Sequence, residues 1–148
     1  MRWRILLGAF ATAALSTTAG AGIVQPGMWR TTTTVTAVDM PGAPSGIAQM
    51  MKGHPNTFTH CVTPDEAAKD PRALISNDKS CQFKNYSMAG GKLDATMICN
   101  HGGGATTIST SGNYTPTSYT AVSHVVDSSR GGMNMTASVS STLVGACK

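Results

Sequence analysis

The first stretch with chemistry in it is His101-Gly102-Gly103-Gly104. A His-Gly-Gly-Gly loop supplies oxyanion-hole donors in some lipases and esterases, beside a serine on a strand-to-helix elbow with the signature Gly-x-Ser-x-Gly. That signature is absent from the chain, and the loop is not flanked by alternating strand and helix patterns. A turn is the simpler reading. Directly after Cys99 a strand must end and the chain must reverse, and glycines do this at no steric cost. His101 is then a loop residue. Serine and threonine abound, so a Ser-His-Asp trio means nothing without geometry. His124 alternates with Val122 and Val126, the pattern of a packed or surface strand residue. No catalytic residue is assigned, and the expectation is a protein without enzymatic activity.

Methionine is the second candidate. Met133-Asn134-Met135 has the spacing of a soft thioether site for Cu(I). The stretch alternates strictly, however. Met133, Met135, Ala137 and Val139 share one face, and Asn134, Thr136, Ser138 and Ser140 the other, as in a half-buried strand with methionine as core filler. Met40, Met50, Met51 and His54 lie in a loop without period. They remain the candidates for a metal or for an adaptable apolar surface. No metal and no cofactor is assigned.

The cysteines carry more. Cys61, Cys81, Cys99 and Cys147 make an even count without Cys-x-x-Cys spacing, and only His60 adjoins one of them, so disulfides are expected rather than zinc. Ala89-Gly90-Gly91 reads as a three-residue hairpin loop. Centred on Gly90, the hairpin sets Cys81 opposite Cys99. Its register gathers Phe83, Leu93, Ala95 and Met97 with them on one face, leaving Tyr86, Met88 and Ile98 as exceptions on the polar face. By elimination Cys61 pairs with Cys147.

These residues need strands to position them. Val, Thr and Ser runs broken by Gly and Pro turns predict strands at 28–39, 57–62, 80–88, 92–100, 105–114, 118–127 and 132–143. A helical turn is expected around 47–51 within the Met/Pro/Gly-rich loop. A helix is expected at 64–69, with Thr63 as N-cap, Pro64 at the first helical position and Glu66 completing a capping box. Asp65 and Glu66 then belong to a first helical turn rather than to a catalytic pair.

The chain start has the order of a signal peptide over 1–21. Arg2 and Arg4 form a charged region, 5–15 is apolar, and Ala19, Gly20 and Ala21 form a small-residue cleavage site. The apolar run is too short to span a bilayer, which takes about 20 residues. One domain over 22–148 follows, expected to be exported to the periplasm or secreted, with no stable membrane insertion. The formal charge of +4 includes Arg2 and Arg4. The other basic residues are scattered singly, which argues against nucleic-acid binding.

With these pieces placed, the chain resembles a family of small exported bacterial proteins known as domain of unknown function 3617. The resemblance rests on Pro-Gly-Met-Trp-Arg-Thr-Thr-Thr-Thr-Val at 26–35, Cys-Val-Thr-Pro-Asp-Glu-Ala-Ala-Lys-Asp-Pro at 61–71, the two central cysteines, Gly-Asn-Tyr-Thr-Pro at 112–116 and the terminal strand at 131–147. Arg30 stands where the family commonly has an acidic residue. Ser-Thr-Leu-Val-Gly stands where a basic residue often precedes the last Gly-x-Cys. The resemblance implies export, a cysteine framework and β structure, and brings no activity.

The expected fold is all-β: one strongly curved antiparallel sheet or a small up-and-down barrel, with one short helix and two disulfides. A two-sheet sandwich is the alternative. A curved sheet leaves a concave apolar face. The leading functional expectation is therefore a binding or carrier protein for a small apolar or amphipathic ligand, with Trp29, Phe83, Met97, Met133 and Met135 as candidate binding residues. A cell-envelope interaction module is the next reading, and copper or oxidant handling through loop methionines the third.

Overall fold

Each run of alternating β-branched and polar residues forms a strand. In the computed structural model, which describes residues 23–69, 71–76, 78–101, 103–128 and 132–148, the elements are β1 (Gly27–Asp39), α1 (Ser45–Met51), β2 (Pro55–Val62), α2 (Pro64–Lys69), a 3₁₀ turn (Pro71–Leu74), β3 (Cys81–Ala89), β4 (Lys92–His101), β5 (Gly104–Thr115), β6 (Ser118–Asp127) and β7 (Met133–Gly145). The signal segment expected at 1–21, Gly102 and Arg130 lie outside the described residues.

The strands form one antiparallel sheet in the order β2-β1-β7-β6-β5-β4-β3. Strands β3 to β7 make a meander, and β1 closes against β7 with β2 outside it. This is the up-and-down order, but the barrel expectation is corrected: β2 and β3 do not pair, and the sheet stays open. The chain between these two edges supplies the reason. It folds as α2 and the 3₁₀ turn, and it buries Ala67 and Leu74 in the core cluster with Trp29 and Tyr119 of the sheet. Side chains from this segment thus fill space that a β2–β3 closure would take. There is one sheet among the described residues, so the sandwich alternative does not hold either.

The capping box forms as expected. The Thr63 N–H and hydroxyl both donate to Glu66 Oε2, at 2.8 and 2.9 Å, and the Glu66 N–H donates to Thr63 Oγ1 at 3.2 Å. These bonds satisfy donors that a helix start leaves without intrahelical partners.

The core lies at one end of the concave face. Val24, Trp29, Val62, Leu93, Tyr119 and Ala121 pack there with Ala67 and Leu74. Trp29 is wholly buried, its Nε1 donating to the Gln25 carbonyl at 3.0 Å and its ring stacked 6.4 Å from Tyr119. Burying an aromatic of this size, with its one polar group satisfied, ties β1 to the rest of the cluster.

Both expected disulfides are present, Cys61–Cys147 and Cys81–Cys99, and no described cysteine is free. Two such bridges mark an oxidising compartment outside the cytoplasm. No described helix is long and apolar enough to cross a membrane.

Candidate functional site

Strand alternation decides which side chains reach the concave face. On β7 these are Met135, Ala137 and Val139, and register brings them beside Val125, Ser123 and Ala121 of β6. The next strands contribute Ile108 and Thr110 of β5, then Leu93 and Met97 of β4. On the other flank β1 offers Thr31 and Thr33, and β2 offers Phe58 and His60. With Leu74, Ile75 and Ser76 these residues, Ala121 excepted, line an open groove of about 360 Å³. That volume falls within the roughly 300–1,000 Å³ typical of small-molecule sites.

The groove is apolar in a specific way. Its described lining holds no Asp, Glu, Lys or Arg. Several of its hydroxyls are bonded among themselves: Thr110 to Ser123 at 2.8 Å, and Thr31 to the neighbouring Ser141 at 2.7 Å. The Tyr119 hydroxyl donates to the Leu74 carbonyl at 3.4 Å, and burial raises its pKa above the ordinary phenol value. The exception is His60. Both ring nitrogens are buried, and neither has a hydrogen-bond partner among the described residues. Its ring lies 5.9 Å from that of Phe58, which is 51% exposed at the rim. Burial pushes the His60 pKa below the ordinary imidazole value, and the nearby Glu66 charge only partly offsets this.

Of the residues expected from sequence, Met97 and Met135 line the groove. Trp29 lies in the core beneath it. Phe83 is half-buried on edge strand β3, meeting Tyr86 edge-on at 5.7 Å with the Arg72 guanidinium 5.8 Å above its ring. Met133 pairs with Asp127 at the far end of β7. None of these three is among the groove-lining residues. Met50 on α1 is 76% exposed, His54 is exposed, and Met40 and Met51 are half-buried.

At the His-Gly-Gly-Gly stretch β4 runs to His101 and β5 starts at Gly104, so the chain reverses there as expected, but His101 is the last residue of a strand rather than a loop residue. A Ser-His-Asp trio does gather beside it. Ser80 donates its hydroxyl and its N–H to Asp78 Oδ1, each at 2.8 Å. Both nitrogens of His101 lie 3.4 Å from the Ser80 hydroxyl oxygen, and Nε2 lies 3.9 Å from Asp78 Oδ2. The serine proton therefore points to the carboxylate, not to an imidazole base, which is the reverse of a nucleophilic triad. The same His101 has a ring nitrogen within 4.8 Å of the Cys81 and Cys99 sulfurs. Those sulfurs are joined to each other, and metal ligation by cysteine takes thiolates.

Sequence reasoning missed His60. It entered only as the residue beside Cys61, in a test for zinc. The usable signal was the alternation of Phe58, His60 and Val62, which puts the imidazole on an apolar strand face.

Together these features define a class: a disulfide-braced, single-sheet β protein whose curved face holds an apolar groove. Residues 24–147 match the family described as "Protein of unknown function (DUF3617)", and the chain belongs to that family. No curated protein and no solved structure matches the chain.

Proposed function

We propose that this protein is an exported, periplasmic binding or carrier protein, without enzymatic activity, for a small apolar or amphipathic molecule held on the concave face. The groove carries this reading. Leu93, Met97, Ile108, Val125, Met135 and Val139 present apolar surface to it. Filling it with an apolar body removes that surface from water, at roughly 25 cal/mol per Å². The disulfides support an oxidising compartment, and the sequence of the 1–21 segment supports export into it.

The test uses the mature chain from Gly22 and the uncharged fluorophore N-phenyl-1-naphthylamine. Saturable one-to-one binding with blue-shifted emission is expected, and Val125→Trp, which fills the groove, should abolish it. A wild-type protein that gives no saturable signal refutes the reading. Protein recovered from the host periplasm should begin near Gly22 by intact mass.

A specific observation also favours an envelope interaction module. Ile47 and Met50, 41% and 76% exposed, stand one turn apart on α1. An Ile47→Ser/Met50→Ser variant that still binds the fluorophore but loses a partner captured by the wild type would favour that module.

A further inference from the structure

The geometry points to a second site, a redox-gated zinc site at the open end of the β3–β4 hairpin, in which Cys81 and Cys99, once reduced, bind the ion together with His101. The ligand atoms already meet there. A ring nitrogen of His101 and the two sulfurs all lie within 4.8 Å of one another. Around a tetrahedral zinc, with bonds of about 2.3 Å to sulfur and about 2.0 Å to nitrogen, neighbouring ligand atoms sit roughly 3.6–3.8 Å apart. The imidazole therefore has about 1 Å to travel. Its side chain is 59% exposed, which leaves it room to turn.

Strand geometry explains the convergence. Cys99 and His101 stand two residues apart on β4 and face the same side. Register sets Cys81 opposite Cys99. Gln82 pairs with Ile98 on one side of that pair, and on the other the Asn100 N–H donates to the Ser80 carbonyl at 3.1 Å. The ladder thus keeps two thiols face to face after the bond between them is cut.

Asp78 completes the shell. The Ser80 hydroxyl and N–H fix its Oδ1, and Oδ2 stands 3.9 Å from His101 Nε2. A metal-bound imidazole usually gives its other N–H to a carboxylate, which fixes the ring and strengthens it as a ligand. Two thiolates and one imidazole suit zinc, with a fourth position left for water. Cys81, Cys99 and His101 are not among the groove-lining residues, so the site is independent of the carrier reading.

In an oxidising compartment the bridge is the resting state, and a dithiol reductant opens it. Its thiolate attacks Cys81, half-buried on an edge strand, and expels the thiolate of Cys99, which is 3% exposed. The second thiol of the reductant then releases Cys81. The reductant ends as a disulfide, and two electrons have passed to the cystine. Zinc takes the place of the two thiol protons. A disulfide-bearing oxidant reverses both steps and expels the ion.

The experiment titrates divalent cobalt, then zinc, into the mature chain from Gly22, either oxidised or reduced with an immobilised phosphine under nitrogen. The reduced protein should take one equivalent of cobalt, with a thiolate-to-cobalt charge-transfer band and the visible bands of a tetrahedral ion. Zinc should bleach both, and the oxidised protein should show neither. Bound zinc should shield Cys81 and Cys99 from iodoacetamide and leave Cys61 and Cys147 open to it, which assigns the site without a variant. Against a chromophoric chelator, Asp78→Asn should weaken zinc by about tenfold and His101→Ala by more. A reduced chain without the thiolate–cobalt band, shielding of Cys61 and Cys147 instead, or zinc affinity unchanged in His101→Ala overturns the inference. So does a reduced chain that stays unfolded by circular dichroism with zinc present, because the paired strands then do not hold the thiols.

Discussion

Cys81 and Cys99 stand opposite each other because two one-residue offsets between them cancel. Gly90 and Gly91 form a two-residue turn, both with positive φ (57° and 75°), which pairs Ala89 with Lys92 and Tyr86 with Ala95. Carried back unbroken, that register would set Cys81 against Asn100. A bulge at Lys84 takes up one residue, so the pairs beyond it become Phe83–Met97 and Cys81–Cys99. The bulge also turns Tyr86 and Met88 onto the concave face beside Phe83, and this is why Met88 joins the core.

Deleting Lys84 removes the bulge without moving any other pair. Peptide mapping without reductant should therefore still find Cys81 joined to Cys99. Inserting one residue after Lys84 shifts Cys81 to face Asn100, across from the polar side of β4. That variant should carry free thiols at Cys81 and Cys99, because a cystine cannot bridge opposite faces of a sheet.

The two bridges should differ in weight. Cys61–Cys147 spans 86 residues and Cys81–Cys99 spans 18. In the chain-entropy account the longer loop stabilises more, by about 1.4 kcal/mol for this ratio. Urea unfolding of the paired Cys→Ala variants should give the larger loss for Cys61/Cys147.

Much of this was legible in the sequence, though not always for the right reason. The strand pattern gave all seven strands within a few residues, because alternation and glycine turns are local signals. The Cys81–Cys99 pair followed from symmetry about Gly90, yet the actual turn is one residue shorter and a bulge restores the balance. Tyr86 and Met88 looked like exceptions because a bulge leaves no local mark that reverses the faces on a pattern. Closure was not legible, since it depends on where the 63–80 segment packs. His60 was overlooked for the same kind of reason: its environment comes from β1 and Glu66 as well as from its own strand.

Acid should weaken the fold in two stages. The His60 pKa is held below its ordinary 6.5 by burial, so the unfolded chain binds the proton more readily. Stability therefore falls as pH drops below about 6.5, until the folded ring also protonates. Glu66 and Asp78 are held below their ordinary 4.5 and 3.8, mainly by the N–H groups of Thr63 and Ser80. Their contribution is present above those values and is lost as pH falls through the lower folded ones. Urea midpoints from pH 8 to 3 should show both declines. His60→Phe should remove the first and Glu66→Gln should reduce the second.

Met97 and Met135 share the groove but not the same burial. Met97 is 6% exposed and Met135 is half-buried. Met97→Ala should cost roughly 2–5 kcal/mol, as in a packed core, and Met135→Ala clearly less. Leucine conserves volume at both sites, so either Met→Leu change should cost under about 1.5 kcal/mol. Denaturant midpoints decide this. A large loss in Met135→Leu would show that the thioether itself matters, and would revive a metal role for it.

Gly112 sets how closely β5 and β6 approach on the concave side. It sits between Leu93 of β4 and Ala121 of β6. A Cβ added there would run into the Thr120 carbonyl oxygen and come within 2.7 Å of the Ala121 Cα and Cβ. These are backbone and near-backbone atoms of an inner strand, hydrogen-bonded on both sides, so they have nowhere to retreat. A glycine inside a strand often marks such a close approach. Gly112→Ala should cost at the upper end of the roughly 1–3 kcal/mol of overpacking. It should also flatten the sheet locally and weaken fluorophore binding in the groove that this curvature shapes. Gly46 on α1 supplies the control, since a Cβ there meets nothing within 4 Å. Gly46→Ala should be neutral or stabilise by up to about 1 kcal/mol, because alanine loses less backbone freedom in a helix. If Gly112→Ala unfolded at the same urea concentration as the wild type, β5 and β6 could separate freely, and the groove would owe its shape to something other than this contact.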